Sequence, residues 1–167
     1  MKKRSWPLLF CTLFFLSFLS CSDFGKKEDL RPIAEEFFET YKARKDFKKF
    51  LSFYDEQIVL EDIINGDRIK GKRNVKAFLD WDNKKFQLID SVVLELEYLI
   101  VEERKVVAKG YFTPFQWGDS KFGAMHFTTI LNFNVNKKIV KQVDWINYPY
   151  NLIDPENRKS ANDWISN

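Results

Sequence analysis

The sequence predicts an α+β domain in which N-terminal helices pack on one face of a strongly curved antiparallel sheet. Apolar residues before position 83 recur mainly at helical spacing, whereas the second half carries four long runs rich in Val, Ile, Thr and aromatic residues. Helices followed by successive strands are typical of the α+β class. Strands this long must twist, and a twisted sheet closed by helices forms a cone whose interior can hold a ligand.

The first half predicts three helices and one strand. Residues 29–43 place apolar side chains on one helical face, with Asp29 as the N-cap, and a short second helix begins at Asp46. Residues 57–64 are typical of a strand, and the Asn-Gly pair after them indicates a tight turn. Residues 72–82 predict the third helix.

The second half predicts four strands, which with the helices form one domain over residues 30–150. The strand runs are separated by short polar breaks and cover residues 86–101, 105–117, 125–135 and 138–148. Residues 151–167 form a polar C-terminal tail, in which Trp164 and Ile165 are the candidates for docking on the domain.

The N-terminus carries the three parts of a secretory signal peptide. Residues 2–4 are basic, an apolar run follows, and Ser20 precedes Cys21. The apolar run of about fourteen residues is too short to cross a bilayer comfortably as a permanent helix. We therefore predict that residues 1–20 are a signal peptide that is removed.

The segment Phe18-Leu19-Ser20-Cys21 resembles the bacterial lipobox, in which a small residue precedes the cysteine that is acylated. Phe18 and Leu19 depart from the usual leucine and small residue. The resemblance implies that Cys21 carries lipid and that residues 21–29 form a tether to the membrane. Such a protein belongs to the bacterial cell envelope, with the outer membrane facing the periplasm as the expected place. The alternative is a cysteine that merely lies near an ordinary signal-peptidase site.

Removal of the signal peptide changes what the charge and the cysteines imply. The chain has 27 basic and 24 acidic residues, and the three basic residues at 2–4 leave with the signal, so the mature protein is neutral. A neutral chain without an arginine-rich stripe argues against nucleic acid as a partner. Cys11 also leaves and Cys21 carries the lipid, so neither a disulfide nor a reactive thiolate is expected.

Three stretches, together with the element order, resemble the nuclear transport factor 2-like superfamily and its SnoaL-like branch of ketosteroid isomerase, polyketide cyclases and limonene epoxide hydrolase. They read YDEQIVLED at 54–62, RKVVAKG at 104–110 and FNVNKKIV at 133–140. The resemblance covers residues 30–148 and implies the cone-shaped α+β fold of that superfamily. It does not imply one activity, because this fold carries isomerases, hydrolases, cyclases and binding proteins.

The resemblance places Asp62 on the general base of ketosteroid isomerase and Tyr54 on a tyrosine that supports the oxyanion site. The two groups that donate to the oxyanion in that enzyme fall on Phe38 and Thr129. Phenylalanine has no hydroxyl, and loss of one oxyanion donor costs about 2.7–4 kcal/mol of transition-state stabilisation. Steroid isomerisation is therefore not expected. An aspartate before a turn is also often only a cap, and this alternative stays open for Asp62.

Asp144 resembles the late-strand aspartate of SnoaL-like cyclases and limonene epoxide hydrolase, which serves there as acid or base. Alternation along the strand puts Gln142, Asp144 and Ile146 on one face, which the resemblance directs into the cavity. Asp62 and Asp144 would then form a carboxylate pair with separated pKa values. The epoxide hydrolase also needs an arginine between its carboxylates, for which the sequence offers no identifiable equivalent. A purely structural role stays equally open for Asp144.

For the remaining candidate residues a structural role is expected first. His126 is the only histidine, and alternation places it opposite Phe127, at a surface or interface. The scattered carboxylates show no metal-ligand spacing, so we expect neither a metal nor another cofactor. Trp81 is first a core aromatic that could also line the pocket. The resemblance implies a homodimer formed through the outer sheet face that carries Trp145.

Two functional hypotheses follow. The first is a lipid-anchored protein whose pocket binds a small apolar ligand or a protein partner without catalysis, and the missing oxyanion donors favour it. The second is a SnoaL-like isomerase, cyclase or hydrolase that uses Asp62 and Asp144 as catalytic acid and base. The pocket residues expected under both hypotheses are Phe38, Tyr54, Trp81, Thr129, Gln142 and Ile146.

Overall fold

A computed structural model of the chain describes residues 29–153, 156 and 159–165. The predicted signal peptide, the lipidation site Cys21 and the tether up to residue 28 lie outside these described residues. Within the described ranges, no helix has the length and apolar character needed to cross a membrane.

Three helices are present where the periodicity predicts them, with shifted ends. They are α1 (Arg31–Ala43), α2 (Phe47–Ser52) and α3 (Lys72–Leu79). Asp29 accepts a hydrogen bond from the Arg31 amide at 2.9 Å but is not the N-cap of α1, since Leu30 holds that position without a side-chain cap.

The second helix begins one residue later than predicted, because Asp46 is the N-cap of α2 and its carboxylate accepts from the Lys49 amide at 2.8 Å. The third helix ends three residues earlier than predicted. Asp80 there adopts the left-handed conformation with φ 35°, which stops the helix.

Nine strands among the described residues form two sheets. They are β1 (Tyr54–Asp62), β2 (Asp67–Lys70), β3 (Phe86–Leu88), β4 (Leu94–Glu102), β5 (Lys105–Phe112), β6 (Phe115–Trp117), β7 (Ser120–Phe122), β8 (Met125–Phe133) and β9 (Ile139–Ile146). The six-stranded sheet has the order β2-β1-β9-β8-β5-β4, and the three-stranded sheet has the order β3-β6-β7.

The sheet differs from the predicted meander in two respects. Strand β1 pairs in parallel with β9, so the large sheet is mixed although antiparallel pairs dominate it. Two predicted long strands are also broken, into β3 and β4 and into β5 and β6. The second break falls at Thr113-Pro114, since proline has no amide hydrogen to donate to a ladder. Strands β2 and β7 were not predicted, because four and three residues are too few to show alternation.

Two apolar clusters fill the interior. The larger one lies between the helices and the six-stranded sheet, with the Phe37 ring packed against Phe50 at 4.9 Å and Tyr54 at 5.9 Å between centroids. The smaller one contains Phe115 and Phe122 of the three-stranded sheet together with Met125. The space between these two clusters forms the candidate site.

The outer surface agrees with the predicted alternation of β8. His126 is exposed while its neighbours Met125 and Phe127 are buried. In the C-terminal tail, the Arg68 guanidinium lies 5.6 Å from the centroid of the Trp164 ring, whereas Ile165 is exposed. Trp164 therefore has a contact with the domain, and Ile165 remains in solvent.

Candidate functional site

A cavity of about 300 Å³ lies between the two apolar clusters. Its wall is mainly aliphatic and aromatic, and it includes Leu60, Phe112 and Met125. Polar side chains also reach the wall, namely Tyr41, Arg44, Asp62, Thr113, Gln142, Asp144 and Tyr148. A mostly apolar pocket with a few convergent polar groups is the usual form of a small-molecule site.

Asp62 and Asp144 lie side by side in this wall. Strands β1 and β9 are parallel and pair Asp62 directly with Asp144, and the Ile63 amide donates to the Asp144 carbonyl at 2.9 Å. Neighbouring strands are about 4.8 Å apart, so paired side chains on one face are close. Two carboxyl groups 82 positions apart in the chain therefore share one cavity because of the strand register.

The Asp144 carboxyl is held by a buried hydrogen-bond chain. Thr129 Oγ1 donates to its Oδ1 at 2.6 Å, and Gln142 Nε2 donates to its Oδ2 at 2.8 Å. The Tyr54 hydroxyl in turn donates to Gln142 Oε1 at 2.6 Å. Burial raises the pKa of Asp144 to about 7, the Thr129 and Gln142 bonds oppose this rise, and the charge of Asp62 adds to it. The group can therefore exist in both protonation states near neutral pH.

Asp62 combines a turn contact with a place in the cavity wall. Its Oδ1 accepts from the amides of Ile64 at 3.1 Å and Asn65 at 2.9 Å, while its Oδ2 accepts from the Tyr148 hydroxyl. Burial raises the pKa of Asp62, and the bonds from Asn65 and Tyr148 oppose the rise. The geometry thus contains both the turn cap and the cavity-facing carboxyl that the sequence left as alternatives.

Two tyrosines supply hydroxyl groups that the sequence analysis did not assign to the site. Burial and the charge of Asp62 raise the pKa of Tyr148, while burial and the charge of Asp144 raise the pKa of Tyr41 to about 12. Tyr41 lies three residues after Phe38 on α1, on a similar side of the helix. It brings to the cavity the hydroxyl that Phe38 lacks.

Arg44 is the cation in the cavity wall. It follows α1 in the left-handed conformation with φ 46°, and its guanidinium lies 4.3 Å from the Phe86 ring centroid and 5.1 Å from that of Trp81. Burial lowers the pKa of Arg44, while the charges of Tyr41, Asp80 and Asp82 act in the opposite direction. These cation–π contacts hold the guanidinium in place.

The expected pocket residues are divided among three places. Gln142 and Ile146 line the main cavity, whereas Phe38 and Thr129 line only a smaller adjoining cavity of about 20 Å³. Tyr54 and Trp81 line neither, since Tyr54 is buried under Phe37 and Trp81 is packed among the helices' aromatic rings. Among the described residues, no three His, Cys, Asp or Glu side chains are grouped in a way that could hold a metal ion.

The fold is shared with solved structures of low sequence identity. A provisionally assigned SnoaL-like polyketide cyclase from Shewanella putrefaciens CN-32 superposes with a TM-score of 0.60 at 19% identity, over 71% of this chain and 90% of that one. An NTF-2 like protein of unknown function from Burkholderia xenovorans LB400 gives 0.56 at 17% identity, over 83% and 94%. An LEH-like epoxide hydrolase from M. tuberculosis gives 0.56 at 13% identity, over 70% and 81%.

The sequence itself matches no protein-family model and no curated protein. The structural similarity defines the class: an α+β cone with helices packed on a curved sheet dominated by antiparallel pairs. The chain has the nuclear transport factor 2-like fold in the form found in SnoaL-like proteins, as predicted. At these identities the similarity concerns the fold, and function has to be argued from the site.

Proposed function

We propose that the protein binds a small, mainly apolar molecule carrying a polar group, in the cavity that contains Asp62 and Asp144. The observation that carries this proposal is the cavity of about 300 Å³ with a mainly apolar wall and two adjacent carboxyl groups. Its volume lies at the lower end of the range for ligand pockets, which is about 300–1,000 Å³. The apolar wall supplies binding free energy, and the carboxyl groups and tyrosines orient the ligand.

The test measures the binding of naphthalene-2-methanol, a neutral bicyclic alcohol. Binding is monitored by thermal shift and by isothermal titration calorimetry. We expect saturable binding with one site per chain. Ile146→Trp fills the cavity and is expected to abolish binding. Ile165→Trp makes the same change at a side chain that is 71% exposed outside the cavity wall, and it serves as the matched control. Equal binding by both variants would contradict a ligand in this cavity.

A second candidate function is proton transfer to or from the bound molecule. The observation that favours it is the Asp144 carboxyl, whose pKa of about 7 is suited to a general acid or base at neutral pH. The similarity to an LEH-like epoxide hydrolase and a provisionally assigned polyketide cyclase agrees with such chemistry but does not establish it.

The test of catalysis uses 5-nitrobenzisoxazole, whose ring opens when a base removes a carbon-bound proton. We expect wild-type protein to accelerate this reaction, with a rate that rises with pH up to about 7 and then levels. Asp144→Asn should remove the acceleration while naphthalene-2-methanol still binds. If the variant reacts as fast as the wild type, Asp144 does not act as the base.

We also propose that lipid on Cys21 anchors the protein, which would bring this cavity close to a membrane. The motivation is the lipobox-like segment that ends at Cys21. Labelling of bacteria with an alkyne-tagged palmitate should modify the wild-type protein, and Cys21→Ala should abolish both the label and the recovery of the protein with membranes. Labelling that survives this substitution would show that Cys21 is not the acylated residue. Separation of inner and outer membranes then tests the proposed place in the outer membrane.

We further propose a homodimer through the outer face of the six-stranded sheet. The strand pairing aligns four apolar side chains across this face, namely Ile100, Val107, Ile130 and Val143. Trp145 is 39% exposed on the same face. Sedimentation velocity should give a dimer for the wild type and a monomer for Ile130→Lys, and a wild-type monomer across micromolar concentrations would contradict this interface.

A further inference from the structure

Arg44 stands out because its charge is not matched by a direct acidic contact. Arg44 is half-buried in the cavity wall, and its guanidinium carbon lies over the rings of Trp81 and Phe86. In the part of the chain that the structure describes, no hydrogen bond or ion pair joins the guanidinium to an acceptor. Its interactions there are with two ring faces and the more distant charges of neighbouring groups.

Contact with aromatic rings stabilises the charge of a guanidinium but does not supply acceptors for its N–H groups. The five N–H groups lie in the plane of the group and require acceptors in that plane. Asp80 and Asp82 act on Arg44 only through their charges, because among the described residues neither is hydrogen-bonded to or ion-paired with its guanidinium. The donors of Arg44 are therefore available to a molecule that enters the cavity.

The rest of the wall limits the charge that such a molecule can carry. The cavity already contains two carboxyl groups, Asp62 and Asp144, so a doubly charged anion would be repelled more strongly than a singly charged one. A single guanidinium also matches one carboxylate well, since its fork can donate two parallel hydrogen bonds to the two oxygens. The apolar remainder of the wall suits a hydrocarbon or aromatic body.

We propose that the ligand is an apolar carboxylic acid bound as its carboxylate, with Arg44 holding the carboxylate and the apolar wall holding the body. This inference rests on the proposed binding function and specifies its ligand class. Arg44 then discriminates between ligands by charge, while the body of the ligand provides most of the contact area.

The test compares three probes with the same bicyclic body: 2-naphthoate, naphthalene-2-methanol and naphthalen-2-ylmethylamine. We expect calorimetry on the wild-type protein to show 2-naphthoate binding about tenfold more tightly than the alcohol, since a charge-assisted hydrogen bond contributes enough for one order of magnitude. The amine cannot accept from Arg44 as a carboxylate does, so Arg44→Gln should not weaken its binding. Arg44→Gln should weaken 2-naphthoate about tenfold and leave the alcohol within about twofold.

Lys45→Gln is the matched control, because it removes one positive charge from the exposed neighbouring position. It should leave all three affinities unchanged. Equal wild-type affinity for 2-naphthoate and the alcohol would overturn the inference, as would an Arg44→Gln variant that loses both probes to the same extent. Failure of all three probes to bind the wild type would instead contradict the proposed binding function itself.

Discussion

The Asp144→Asn substitution tests the electrostatic description of the cavity through stability. The wild-type carboxyl is 8% exposed, and burial raises its pKa from 3.8 to about 7. Asparagine has nearly the same shape but never ionises. It also keeps an oxygen that can accept from Thr129, whereas its amide faces the Gln142 amide unless Gln142 rotates.

The expected magnitude follows from proton linkage. One pKa unit corresponds to 1.36 kcal/mol, so a rise from 3.8 to about 7 makes ionisation of Asp144 in the folded state cost about 4 kcal/mol. Because the folded pKa lies above the unfolded one, the cost is absent below about pH 4 and complete above about pH 7. The altered bond to Gln142 costs about 1 kcal/mol at any pH. Asp144→Asn should therefore be slightly less stable than wild type at pH 4 and about 3 kcal/mol more stable at pH 8.

The assay is urea denaturation of both proteins at pH 4, 6 and 8, with equal slopes required before free energies of unfolding are compared. Asp90→Asn is the control, because it removes one carboxylate from an exposed position. The stability difference between Asp144→Asn and wild type should change sign across the series, while that of Asp90→Asn should stay near zero. A difference that is the same at pH 4 and pH 8 would refute the raised pKa of Asp144.

Two further substitutions test neighbouring parts of the structure. Thr129→Val removes the hydroxyl that donates to Asp144 at 2.6 Å and should cost about 1–3 kcal/mol, with the larger loss at pH 8, where the ionised carboxyl needs its donor. Urea denaturation at pH 5 and 8 checks this, and an equal loss at both would contradict it. Gly66→Ala places a Cβ at φ +78° and 1.8 Å from the Lys159 carbonyl oxygen, so it should cost more than about 1 kcal/mol and expose residues 159–165 to protease. Gly118→Ala, at φ +59° with no atom within 4 Å, controls for the backbone strain alone.

The carboxyl pair was predictable from sequence because it depends on local alternation and on the resemblance of two stretches. Asp144 is on the same face of its strand as Gln142 and Ile146, as period-two counting requires. Continuing this count by one step reaches Tyr148, whose hydroxyl donates to Asp62. That residue was overlooked although the sequence contained the pattern that identifies it.

Arg44 could not be identified in the same way. Its position in the wall depends on a left-handed residue at the end of α1 and on rings contributed by Trp81 and Phe86, which are distant in the sequence. No periodicity reports such a contact. The separation of β3 from β4 has a similar origin, since β3 pairs with β6, which is distant in the sequence, whereas Pro114 marks the break between β5 and β6 in the sequence itself.

Asp62 and Asp144 differ in what their hydrogen bonds stabilise. Asp62 has a structural use, because its Oδ1 accepts two amides at the turn. Asp144 accepts only from the side chains of Thr129 and Gln142, so its hydrogen bonds serve to hold the carboxyl itself. An apolar residue of similar size would avoid a cost of about 4 kcal/mol at neutral pH, but it would leave the buried Thr129 hydroxyl and Gln142 amide without an acceptor, at about 1–3 kcal/mol each. These opposing contributions are of similar size, so fold stability by itself does not select an aspartate at position 144.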